Sequence, residues 1–276
     1  MVNESTAEPL DVIFDTLTAE AHMSITVGLL VLAALLGVLA LQVYVVRDLR
    51  RIKARLWRER KLNRDNVNNL FEQFQHLRLL EHEVGLQQPL PLTRGWAGSP
   101  DFLRFIADYV GRHHPGVVVE CGSGVSTVVL AAALRRQGSG HLYSLEHDPS
   151  YAEKTRQLLR DYSLEAHASV IDAPLSSSRA STPWYDEASF PDAMQPIELL
   201  VVDGPPGSVA KQSRYPALEV LMPRMAASFA VVLDDANRPD ERRCIDRWLQ
   251  DHPDLELSRA RAEKGLAVLE RRAPTP

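Results

Sequence analysis

Residues 117–127 read VVVECGSGVST: four residues that run from apolar to acidic, a turn built on two glycines, and a start rich in hydroxyl side chains. A short run of β-branched residues bounded by glycine reads as a buried strand. Gly122 and Gly124 let the backbone turn tightly, and Ser126 or Thr127 can cap the helix that follows. The same alternation continues outward. HLYSLE (141–146) precedes a helix from about Ser150, ASVI (168–171) a loop, IELLVVD (197–203) a helix around 215–225, and FAVVLDD (229–235) a helix over 240–249. LELSR and LAVLERR close the series, and Ser99-Pro100-Asp101 opens a helix ahead of it whose stripe is Phe102, Phe105, Ile106 and Tyr109. Continuous apolar strands separated by helices predict an α/β, doubly wound, mostly parallel sheet covered on both faces.

Upstream the charge falls into blocks. Residues 1–23 carry Glu4, Glu8, Asp11, Asp15 and Glu20 with no Lys or Arg; residues 24–46, SITVGLLVLAALLGVLALQVYVV, carry no charge; residues 47–64 hold nine basic against two acidic residues. At about 1.5 Å per residue, a 23-residue apolar helix spans roughly 30 Å of hydrocarbon. It predicts one transmembrane helix. A cleaved signal peptide would place its basic residues before the apolar run, whereas here they follow it. Positive charge stays inside, so the acidic segment is expected outside and everything after Arg47 in the cytoplasm, with the basic run against the inner leaflet.

From Leu49 to Val84, apolar residues at three- and four-residue steps give a helical pattern whose register breaks at Asn63–Asn69. A plain stalk and a self-pairing helix, hence a homo-oligomer, both remain open. Gly85 and QQPLPLTRGWAGSP (87–100) end that helix. The expected organisation is an acidic extracytoplasmic tail (1–23), a transmembrane helix (24–46), a basic helical stalk and linker (47–98) and a soluble domain (99–276). The remainder of the chain is acidic, which offers no basic face for nucleic acid. Cys121 and Cys244 make neither a disulfide framework nor a zinc motif.

In doubly wound sheets, ligands bind beyond the carboxyl ends of the strands. Glu120 stands two positions before Gly122, and Glu146 ends the next strand, where a carboxylate can accept both hydroxyl hydrogens of a ribose. A dinucleotide's pyrophosphate would be repelled by Glu120 beside the turn, and the third glycine of its fingerprint is replaced by Thr127. S-adenosylmethionine carries no phosphate, and its cationic methionine end suits a nearby carboxylate. The residues therefore favour S-adenosylmethionine.

With its phrases ECGSGVSTVVLA, YSLEHDPSYAEKT, APL followed by WYD, VVDGPPG, RYPAL and VVLDD, the stretch 99–271 resembles the class I S-adenosylmethionine-dependent methyltransferases, and within them a bacterial group. The resemblance implies a seven-stranded sheet whose last strand is antiparallel. It places the cofactor turn on Gly122, Ser123 and Gly124, with Ser126 at the helix start, and sets Glu120 near the methionine moiety. Glu146 falls on the ribose, His147 beside the adenine, and Asp172 at its amino group. Asp203 lies at the rim where the methyl group is presented, and VDGPPG departs from the motif of amino-methylating relatives, so transfer to oxygen is favoured.

Asp234 and Asp235 end the fifth long strand near Asp203, and any of the three is a candidate base. Asp203, Asp235 and Asn237 are also candidate ligands for magnesium or another divalent cation, as in some hydroxyl-methylating relatives; the alternative is a helix cap and a pair with Arg238 or Arg242. His113 and His114 read as a helix end. Trp184 and Tyr185, and Arg214 and Tyr215, are open between lining the acceptor pocket and packing. The expected function is a membrane-anchored methyltransferase acting on a small, lipid-linked, glycan or otherwise membrane-proximal hydroxyl. The alternatives are a non-catalytic anchored scaffold of the same fold and an NAD-dependent oxidoreductase.

Overall fold

The structure is a computed structural model that describes residues 8–93, 97–177 and 182–272. The first residues of the acidic tail (1–7) and part of the 87–100 linker (94–96) lie outside them. The chain divides into two compact units, 1–67 and 68–276.

In the first unit the described residues form one helix, the larger part of α1 (Glu8–Glu83). Its side chains from Val12 to Arg47 are exposed, and its most apolar stretch has a mean hydropathy of 2.7. This helix is long and apolar enough to cross a membrane. The register break at Asn63–Asn69 does not interrupt it, because asparagine costs a helix interior only about 0.7 kcal/mol.

The second unit contains α2 (Pro100–His113), β1 (Val117–Cys121), α3 (Val125–Gln137), β2 (His141–Glu146), α4 (Pro149–Asp161), β3 (Ala168–Asp172), β4 (Leu175–Ser176), β5 (Trp184–Tyr185), β6 (Ile197–Val202), α5 (Pro216–Leu221), β7 (Met225–Leu233), α6 (Pro239–Asp251), β8 (Glu256–Ala260) and β9 (Leu266–Arg271). The seven-stranded sheet has the order β3-β2-β1-β6-β7-β9-β8, and β4 and β5 form a separate antiparallel pair. β3, β2, β1, β6 and β7 are parallel, and β9 runs antiparallel between β7 and β8. This is the doubly wound architecture read from the sequence. Strand order reverses between β1 and β6, which is where a crevice opens at the strand ends.

The two faces of the sheet carry two cores. α2 and α3 cover one with Phe102, Leu103, Ile106 and the run from Val128 to Leu134, while the other buries Trp184, Tyr185, Leu218, Leu221, Ile245 and Trp248. The first core also takes Leu80, at 0% exposure, and Val84 from the end of α1. Gln73 and Asp101 exchange two hydrogen bonds, Gln73 Nε2 to Asp101 Oδ2 at 2.8 Å and Asp101 N–H to Gln73 Oε1 at 3.1 Å. Arg104 holds Glu83 through both of its oxygens. The compact unit thus reaches back to Asn68 instead of starting at residue 99.

Candidate active site

At the carboxyl ends of β1, β2 and β6 lies a cleft of about 450 Å³ whose walls include Gly122–Ser126, Glu146–Asp148, Tyr151, Lys154, Tyr185, Asp203 and Gly204. Its floor is the turn after β1. Gly122 has φ +93° and Gly124 φ +155°, conformations that side-chain-bearing residues rarely adopt. Thr127 in the first turn of α3 reaches back to accept the Gly124 N–H at 2.9 Å, so Thr127, not Ser126, caps the helix through its side chain. Across the cleft, a Cβ on Gly204 would lie 2.7 Å from the Tyr185 hydroxyl and 3.1 Å from the Cys121 carbonyl. Only glycine lets the β6 turn sit this close to β1.

Glu146 occupies the β2 edge of the cleft. Its Oε2 accepts from the Ser123 N–H at 3.1 Å and the Ser123 hydroxyl at 2.9 Å, and its Oε1 from the N–H groups of His147 and Asp148 at 2.8 and 3.0 Å. The carboxylate is aimed by backbone, and the Ser123 hydroxyl is the donor that a ligand's hydroxyl can replace. His147 lines the same wall, its ring edge-on to Tyr185.

Glu120 stands back from the cleft wall. It is fully buried behind the glycine turn, where its Oε2 accepts from the Thr127 hydroxyl at 2.7 Å and the Ser144 hydroxyl at 2.8 Å. Burial pushes its carboxyl up to about 7, against the pull of these hydroxyls. It supports the turn and is not among the residues lining the cleft. Asp172 is exposed and pairs with Arg156 of α4 at 2.6 Å, and it too is absent from the cleft wall. Arg156 also donates to the Val170 carbonyl at 3.1 Å, tying α4 to β3.

Asp203, Asp234 and Asp235 do converge, with ligand oxygens all within 4.8 Å of one another. Only Asp203 reaches the cleft. Burial, partly offset by Arg214, raises the Asp203 carboxyl above its ordinary range, and burial with the two neighbouring carboxylates pushes Asp234 up to about 7. The group does not fit a divalent cation. The buried Arg214 guanidinium already stands among these carboxylates, 3.1 Å from Asp203 Oδ1 and 3.0 Å from Asp235 Oδ2. Asn237, the third expected ligand, is exposed, and its side chain packs over Gly265.

The open pairs separate. Both Trp184 and Tyr185 are buried, and of the two Tyr185 lines the cleft. Arg214 enters the acid cluster, whereas Tyr215 is held by α6 through Trp248 Nε1, which donates to its carbonyl at 2.8 Å. The supporting hydroxyls of Ser144 and Thr127 were not read from the sequence. The only available signal was their position, Ser144 on the strand beside β1 and Thr127 one helical turn after the glycines.

Residues 119–236 match the family model of a methyltransferase domain. The match spans every predicted site residue except Asn237. No curated protein matches the chain by sequence. Among solved structures, cofactor-bound Rv0187 from MTB aligns at TM-score 0.51 and 18% identity, over 75% of this chain and 91% of that one. A putative caffeoyl-CoA O-methyltransferase from Staphylococcus aureus aligns at TM-score 0.50 and 14% identity, over 76% of this chain and all of the other. Both share the fold.

Proposed function

We propose that this methyltransferase domain uses S-adenosylmethionine to methylate a hydroxyl of a small or membrane-proximal acceptor, and that α1 anchors it to a membrane. The observation that carries the reading is the open cleft above the Gly122–Gly124 turn with the Glu146 carboxylate on its β2 edge. Positive-φ glycines there give a ligand close backbone approach, and the Glu146 carboxylate suits a ribose diol. Thr127 in place of a third glycine tells against a dinucleotide's fingerprint. In this reading Gly122, Ser123 and Gly124 form the cradle, Glu146 takes the sugar, and His147 and Tyr185 flank the base.

S-adenosylmethionine supplies a methyl group already activated by its sulfonium. The protein's remaining task is to align the nucleophile and accept its proton. Asp203 is the carboxylate at the cleft rim, and its raised proton affinity suits it as the acceptor hydroxyl's base. The Gly204-Pro205-Pro206 lip, pinned by the Ser213 hydroxyl to the Pro205 carbonyl at 3.0 Å, holds that rim stiff. The apolar span at 24–46 and the basic run after it favour a single crossing with the domain in the cytoplasm. Such an anchor suits a lipid-linked or glycan acceptor.

Calorimetry of the detergent-solubilised full chain tests this. Saturable binding of S-adenosylmethionine that Glu146→Ala weakens is expected. An absence of binding favours the scaffold reading, and tighter binding of NAD would replace the methyltransferase with an oxidoreductase.

A further inference from the structure

We propose that Arg214 is the resident cation of this site, standing between the carboxyl ends of β6 and β7 in the place where a carboxylate cluster holds a divalent metal, so that the chain neither needs nor binds such a metal. Three carboxylates with ligand oxygens within 4.8 Å of one another are the oxygen-rich setting that Mg²⁺ or Ca²⁺ selects. Left alone, they would repel one another.

Arg214 answers that repulsion from within. Its side chain is 4% exposed. Nη2 lies 3.1 Å from Asp203 Oδ1, 3.0 Å from Asp235 Oδ2 and 2.9 Å from the Asp203 carbonyl, while Nη1 donates to the Asp234 carbonyl at 3.0 Å. Nε faces Glu241 of α6 at 3.8 Å. The guanidinium therefore neutralises side chains and also staples the main-chain ends of two adjacent strands. Arg238 Nη1 reaches the same Asp235 Oδ2 at 2.8 Å. A metal bound to these oxygens at about 2.0–2.6 Å would sit in contact with a positive group that cannot lose its proton.

Nor is Arg214 free to swing out. The residue before it is tied by the Ser213 hydroxyl to the Pro205 carbonyl, and the residue after it by Trp248 to the Tyr215 carbonyl and by the Tyr215 hydroxyl to Asp251 at 2.7 Å. A side chain fixed at both neighbours serves as a permanent counter-charge. It acts on the cleft through Asp203 and is a positioning residue.

The inference stands on the charge cluster, and its test reads cation binding and melting, so it survives or fails apart from the methyl-transfer reading. The full chain in detergent is stripped with a chelator and titrated with MgCl₂, CaCl₂ and MnCl₂, with Tm followed in parallel. Wild type is expected to show no saturable binding and no change in Tm on chelation or refilling. Arg214→Met removes the charge at similar length, and it is expected to lower Tm and to gain a rise in Tm on adding Mg²⁺ or Ca²⁺. Arg214→Lys keeps the charge and should stay insensitive to cations. Saturable divalent binding to wild type, a fall in its Tm on chelation, or an Arg214→Met protein whose cation response equals that of wild type would each overturn the proposal. If Arg214→Met does not fold, the wild-type and Arg214→Lys titrations decide it.

Discussion

Glu146 and Glu120 are both carboxylates at the ends of neighbouring strands, yet their surroundings give them opposite work. Glu146 is met by three backbone N–H groups and one hydroxyl, which hold its carboxylate at the cleft wall. Hydrogen bonds to a charged group contribute about 1.5–3 kcal/mol, so Glu146→Gln is expected to weaken S-adenosylmethionine binding by roughly ten- to a hundredfold in calorimetry. Glu120 is fully buried and accepts from hydroxyls, and its carboxyl is pushed up from 4.5 to about 7. Between those values the folded chain holds a proton that the unfolded chain has released. Stability therefore falls as pH rises across that window and levels off above it, a loss of about 3 kcal/mol by linkage. Glu120→Gln lacks this titration. Urea unfolding at pH 5 and pH 8 should show wild type losing ground to the variant by about that amount, and a pH-independent gap would refute the assignment.

Elements depend on contacts that a local pattern shows only in part. The end of α1 is integral to the second unit because Leu80 is wholly buried in the first core and Gln73 bonds Asp101. Leu80→Ala should cost about 2–5 kcal/mol in chemical unfolding of the full chain, whereas Leu79→Ala at the exposed neighbouring position should cost far less. The strands and the glycine turn are legible in the sequence because each is written locally, in β-branched runs and φ-permissive residues. The start of the compact unit at Asn68 is not, since Leu77, Leu80 and Val84 have the same spacing whether they face a stalk partner or a core. Asp172 and Asn237 stand off the cleft wall for a related reason. A strand-end position gives no account of Arg156 on α4 or of Gly265 beside Asn237. Arg214 was left undecided because its partners lie 11 and 21 residues away, just past the ends of two different strands.

For the whole molecule the decisive quantity is the asymmetry of charge about the apolar span. Residues 1–23 have no Lys or Arg, while nine lie in 47–64, directly after the uncharged segment. Lys and Arg close to a span are the residues retained on the cytoplasmic side, and acidic residues contribute little to that choice. The basic run therefore sets the proposed orientation. A span of this length also resists extraction by salt, which removes only proteins held by surface charge. The chain should accordingly stay in the membrane fraction through high-salt and alkaline washes and leave it only in detergent. In sealed right-side-out vesicles an added protease should spare the domain from residue 68 onward, and in inside-out vesicles it should digest it. Replacing the nine basic residues with Gln and placing Lys in 1–23 should reverse the pattern in part of the population. Digestion of the wild-type domain from the outer face would reject the orientation, and release by salt alone would reject the span.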